Sequence, residues 1–100
     1  MLLTGFSGQL LGIDDLDAVI QTIWDAREKW FFIGLKLGIK KDKLEDIKQE
    51  HSNVDDRFTE MIMNWLSNDE TTYTCTWEAM AVALKSPSVR LGHLADKLPK

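Results

Sequence analysis

Residues 54–66 read Val-Asp-Asp-Arg-Phe-Thr-Glu-Met-Ile-Met-Asn-Trp-Leu, and their apolar positions decide the fold class. Phe58, Met61, Ile62, Trp65 and Leu66 follow the i, i+3, i+4, i+7 spacing that lines one stripe of an α-helix. The stripe begins after Asn53 and ends before the polar run Ser67, Asn68, Asp69, Glu70, so both ends of the helix are marked.

The same spacing recurs on either side. Upstream, Leu16, Val19, Ile20 and Ile23 form a first stripe, opened by Asp14 and Asp15, acids suited to the positive start of a helix. A second stripe holds Trp30, Ile33, Gly34 and Leu37, with Asp25 and Glu28 spaced as a capping box and Gly38 placed for a left-handed stop. Leu44, Ile47 and His51 follow the Lys40, Lys41, Asp42 entry of a third, mostly charged segment, which predicts a narrow buried face. Downstream, Trp77, Met80, Ala81 and Leu84 follow Thr76, a fitting N-cap, and Pro87 closes that segment. Leu91, Leu94, Ala95 and Leu98 repeat the template between Ser88 and Pro99. Thr71 to Thr76 is β-branched and aromatic, but a lone strand leaves its backbone unpaired, so it reads as a loop. Six short amphipathic helices can bury their stripes only against each other, which predicts an all-α bundle.

Composition agrees with one folded domain. The chain has 100 residues, 44% hydrophobic and 28% charged, with only two prolines. That is enough for one shared core and too little for two. The expected organisation is an extension over residues 1–13, the domain over 14–98 and a tail at 99–100. Trp24, Trp30, Trp65 and Trp77 are expected in the core, because rings that large need a packed environment. A net charge of −4 and a pI near 5.0 repel phosphate, which argues against nucleic-acid partners. Cys75 is the sole cysteine, so no internal disulfide or paired-cysteine zinc motif can form, and a reducing, cytoplasmic setting is expected. Residues 1–13 lack a basic start and are broken by Gly5, Gly8 and Gly12, unlike a signal peptide. No stretch approaches the roughly 20 apolar residues of a membrane span.

The order of anchors resembles the death-domain family. It runs Trp30, Gly34 and Leu37-Gly38-Ile39, then Leu44 and Ile47, Trp65-Leu66, Thr76-Trp77, Ala83-Leu84 and Leu94-Ala95. No single anchor is specific, but the set holds its order from Asp14 to Leu98. The resemblance implies an antiparallel Greek-key bundle of six helices. It implies no enzymatic activity and no cofactor or metal. The function it implies is assembly with other death domains, homotypic or heterotypic, in apoptotic or innate-immune signalling, with self-association into helical oligomers and no membrane partner.

That implication directs attention to surface residues. One family patch uses the exposed sides of the first and fourth helices, where this chain offers Asp14, Asp15, Asp17, Asp55, Asp56 and Glu60. Its counterpart uses the second and third helices, where Lys36, Lys40, Lys41 and Lys43 supply the opposite charge. A contact of this head-to-tail kind can propagate, although solvated helix faces carry the same residue types. A second patch implied by the family could set Asp69 and Glu70 against Arg27 or Arg90. Phe32 points away from the stripe of its helix, where the family more often has a charge, and Met63 lies off the stripe of residues 54–66. For both, a partner contact and a second buried face remain open readings.

Two further classes are weighed on their residues. Cys75 and His93 could act as thiolate and base, but no third orienting residue or oxyanion motif accompanies them. His51 near Asp55 and Asp56 lacks any recognised metal-ligand spacing. A helical nucleic-acid binder using the lysines of residues 36–43, and a structural or autoinhibitory unit within a larger protein, are the remaining alternatives.

Overall fold

A computed structural model describes residues 10–67 and 75–98. Among the described residues there is no strand, and six α-helices form: α1 (Leu16–Thr22), α2 (Trp30–Lys36), α3 (Lys41–Glu50), α4 (Val54–Ser67), α5 (Trp77–Lys85) and α6 (Gly92–Ala95). Two 3-10 segments, Ile13–Asp15 and Trp24–Lys29, precede α1 and α2. Of the stretch read as a loop, residues 71–74 lie outside the described residues.

Helix α4 is the centre of the bundle. Phe58, Met61, Ile62, Trp65 and Leu66 are all buried, as their spacing predicts. The helix packs on α1, α2, α3 and the Trp24–Lys29 segment. Helices α5 and α6 pack on each other, and α5 also meets α2. Within the core, the Trp65 indole Nε1 has no hydrogen-bond partner among the described residues.

The entry to α2 departs from the expected capping box. Residues Asp25 and Glu28 lie inside the Trp24–Lys29 3-10 segment, and α2 begins only at Trp30, with Lys29 as an N-cap that makes no side-chain cap bond. A tertiary contact explains the change. Trp24 presents its ring to Phe58 of α4 edge-on, with centroids 5.9 Å apart, and the Arg27 Nη1 donates to the Trp24 carbonyl at 2.9 Å. The tighter turn holds that ring and carbonyl in place. Trp24 is thereby half-exposed rather than a core residue, whereas Trp30, Trp65 and Trp77 are buried.

The exit of α2 follows expectation. Gly38 has φ 100°, the left-handed region where glycine carries no Cβ penalty. Its N–H donates to the Leu35 carbonyl at 3.2 Å, and the Ile39 N–H reaches back to the Gly34 carbonyl at 3.0 Å, closing the helix in the Schellman pattern. Gly34 itself is required by close packing. A Cβ there would lie 2.7 Å from Leu44 Cδ2 and 3.1 Å from Met61 Cγ, so α2 meets α3 and α4 through its backbone.

Helix α3 buries only Leu44 and Ile47, with His51 half-exposed at its end. The Thr76 hydroxyl accepts from the Ala79 N–H at 3.1 Å and caps α5 as predicted. Helix α6 is shorter than the residues 91–98 stripe suggests. It forms one turn, entered at Leu91 rather than Ser88, while Leu94, Ala95 and Leu98 are still buried. Before it, Arg90 adopts φ 59°, an unusual conformation for a residue with a Cβ. Packing also starts upstream of Asp14: Leu11 is buried, and its N–H donates to the Cys75 carbonyl at 2.7 Å.

Candidate interaction surfaces

Because α1 and the Ile13–Asp15 segment pack beside α4, the predicted acidic residues share one side of the bundle. Asp14, Asp17, Asp55 and Asp56 are exposed, and Asp15 and Glu60 are half-exposed. Five of these six have partners within the chain. The Asp15 carboxylate accepts from the Gly12 N–H at 2.9 Å, and Asp17 accepts from Gln21 Nε2 at 2.9 Å. Asp56 Oδ2 accepts from Asn53 Nδ2 at 3.0 Å. Glu60 lies 3.7 Å from His51 Nε2 and accepts from Asn64 Nδ2 at 3.2 Å. Asp55 is bonded to Arg27 Nε at 2.8 Å.

That last contact fixes the surroundings of Arg27. Its guanidinium lies 4.5 Å over the Trp24 ring and is bound to Asp55, which sets Arg27 beside the acidic residues and reduces their net charge. Asp69 and Glu70 lie outside the described residues. Arg90 is exposed, with Nε donating to the Pro87 carbonyl at 3.1 Å.

The basic side differs in kind. Lys36 on α2 and Lys40, Lys41 and Lys43 around the start of α3 are all exposed. None forms an ion pair among the described residues. Three of them stand at the positive end of a helix, where a cation is disfavoured by roughly 0.3–1 kcal/mol. Five of the six acids hold partners within the chain, and these lysines have no ion pair among the described residues.

Phe32 is 45% exposed and Met63 36% exposed, which removes the buried-face reading for both. Leu35 lies one turn beyond Phe32 on α2 and is 38% exposed, extending an apolar edge beside the lysines. Sequence reasoning missed what lies next to that edge. Trp30, Phe31, Phe32, Lys41, Glu45, Lys48 and Arg57 line a cleft of about 360 Å³. The i, i+4, i+7 spacing of Lys41, Glu45 and Lys48 on α3 was visible, but Arg57 comes from α4, and its approach needed the fold.

Cys75 sits half-buried with its Sγ donating to the Trp65 carbonyl at 3.1 Å. Burial pushes its thiol pKa up, the opposite of what a thiolate nucleophile requires. His93 is exposed on α6. Among the described residues no helix is long and apolar enough to cross a membrane, and no group of three or more His, Cys, Asp or Glu side chains is placed to hold a metal.

The chain matches no family model, no curated protein and no solved structure.

Proposed function

We propose that this chain is a death-domain-type interaction module with Greek-key topology, a non-enzymatic cytoplasmic adaptor in apoptotic or innate-immune signalling. Its basic α2–α3 face docks on the acidic α1–α4 face of a second copy or a related domain. The observation that carries this reading is the row of exposed lysines at the start of α3, left without an ion pair among the described residues and set against the helix dipole. A residue arrangement that breaks a local rule without a structural gain fits a functional surface. The two faces differ, so the contact is head-to-tail and repeats without closing unless the rotation does.

Sedimentation velocity over a concentration series, at low and high salt, tests it. Wild type is expected to form larger species that dissociate at high salt, where screening shortens the reach of charge to about 3 Å at 1 M. Asp56→Lys and Lys43→Glu should each remain monomeric, with helical content by circular dichroism unchanged. Mixed in equal amounts, they should form a dimer, because the intact basic face of one meets the intact acidic face of the other. A wild type that stays monomeric at low salt sinks the self-assembly reading.

A further inference from the structure

The cleft beside Phe32 has a chemistry of its own. Trp30, Phe31 and Phe32 form a run of edge-to-face rings, with centroids 5.5 Å apart for the first pair and 6.0 Å for the second. Trp30 is buried, Phe31 half-exposed and Phe32 exposed, so the rings make a wall that rises out of the core into solvent. Opposite them stand Lys41 and Lys48 of α3 and Arg57 of α4, with Glu45 as the one acid of the lining. Three cations against one carboxylate reverse the sign of a chain whose net charge is −4.

These cations are also available. Glu45 has the helical spacing to pair with Lys41 or Lys48, yet no ion pair forms to either among the described residues. Arg57 is held from behind, its Nε donating to the His51 carbonyl at 2.7 Å. Its two terminal nitrogens have no partner among the described residues, leaving a fixed fork of donors suited to a carboxylate.

We infer that this cleft docks an acidic peptide segment of another protein, one that carries an aromatic or long apolar side chain between its carboxylates. The volume, about 360 Å³, lies at the small end of the roughly 300–1,000 Å³ typical of binding pockets, enough for a few side chains and not for a helical face. An apolar side chain packs on the exposed ring of Phe32, and flanking carboxylates meet Arg57 and the lysines. The chain's own acidic face is a poorer occupant: its exposed apolar side chains, Ile13 and Met63, lie on helical segments, and Asp55, Asp56 and Glu60 already hold partners within the chain. The cleft shares Phe32 and Lys41 with the self-docking face, while Lys48 and Arg57 belong to the cleft alone.

The probe is a fluorescein-labelled peptide, Gly-Asp-Glu-Phe-Asp-Glu-Leu-Gly, with binding followed by anisotropy on the full chain carrying Asp56→Lys, which removes self-docking from the assay. Replacing the peptide's Phe and Leu by Ser, or its acids by Lys, should weaken binding at least about tenfold, a change of roughly 1.4 kcal/mol. Phe32→Glu, Lys48→Glu and Arg57→Glu, added singly, should do the same. Lys97→Glu, on an exposed residue away from the cleft, should stay within about twofold. Equal binding of the Ser and acidic peptides, or insensitivity to both Phe32→Glu and Lys48→Glu in folded variants, overturns the proposal. Displacement of the peptide by a chain carrying Phe32→Glu alone, whose cleft is blocked and acidic face intact, also overturns it and assigns the cleft to a second copy. Peptide binding by a chain that never self-associates would uphold this inference while the self-docking reading fails.

Discussion

Substituting Gly34 by Ala sets two opposing effects of similar size against each other, and the geometry decides between them. Inside a helix, Ala is favoured over Gly by about 0.8–1.0 kcal/mol. Here the added methyl would stand 2.7 Å from Leu44 Cδ2, 3.2 Å from Leu44 Cδ1 and 3.1 Å from Met61 Cγ. Leu44 and Met61 are fully buried, so a shift of either must be absorbed inside the core, and forcing an extra carbon into a well-packed core costs about 1–3 kcal/mol. The net expectation is a loss of roughly 0–2 kcal/mol, or a fall in Tm of several degrees for a domain this small. A double-mutant cycle sharpens the test. Leu44→Ala alone should cost about 2–5 kcal/mol through the cavity it leaves, and the Gly34 methyl should then fill part of that space. Gly34→Ala is therefore expected to stabilise the Leu44→Ala background by about 1 kcal/mol while destabilising the wild type. Urea unfolding followed by circular dichroism measures all four corners. Stabilisation of the wild type by Gly34→Ala, with no coupling to Leu44, would refute the claim that α2 meets α3 and α4 through its backbone.

Thr76→Ala removes the oxygen that accepts from the Ala79 N–H and is expected to cost about 1 kcal/mol, with Thr76→Ser restoring most of it; equal stability of all three proteins would show that the cap is not needed. The Cys75 thiol has its pKa raised by burial, so the folded chain holds that proton after the unfolded chain has released it. Stability should then fall as pH rises from the ordinary thiol pKa towards the raised one, and the fall should vanish in Cys75→Ala. Alkylation by iodoacetamide should likewise be slow in the native protein and speed up on unfolding in urea, and a rate that does not change on unfolding would contradict the burial argument.

The helices were legible because each buries one stripe, and periodicity reports a stripe directly. Val19, Ile23, Ile33, Leu44, Phe58, Trp65, Met80 and Leu94 are all buried where spacing placed them, and Gly38 and Thr76 act at the helix ends as their chemistry suggests. The errors share a cause. Asp25 and Glu28 have capping-box spacing, but a contact between Trp24 and Phe58, far apart in sequence, drew that segment into a 3-10 turn. The ion pair of Arg27 also went unseen, because its partner Asp55 lies on another helix. The aromatic-basic cleft joins Phe31 and Phe32 to Arg57 across three helices, and local periodicity carries no record of such a meeting. Exposure of Phe32 was half legible, since its direction off the stripe follows from helical geometry but an unknown neighbour could still have covered it.

The lopsided packing around α4 bears on how the protein opens. Helices α1 to α3 and the Trp24–Lys29 segment surround α4, whereas α5 and α6 chiefly hold each other and reach the rest through α2, with backbone and thiol bonds at Cys75 as ties to Leu11 and Trp65. Cooperative units of native proteins follow such divisions of contact. The amides of α5 and α6 are therefore expected to exchange with solvent hydrogen through a partial opening, at lower free energy than those of α4, which should wait for global unfolding. The charged and aromatic surfaces of α1 to α4 stay formed in that partly open state, so a partner docked there would protect α4 and leave exchange in α5 and α6 nearly unchanged.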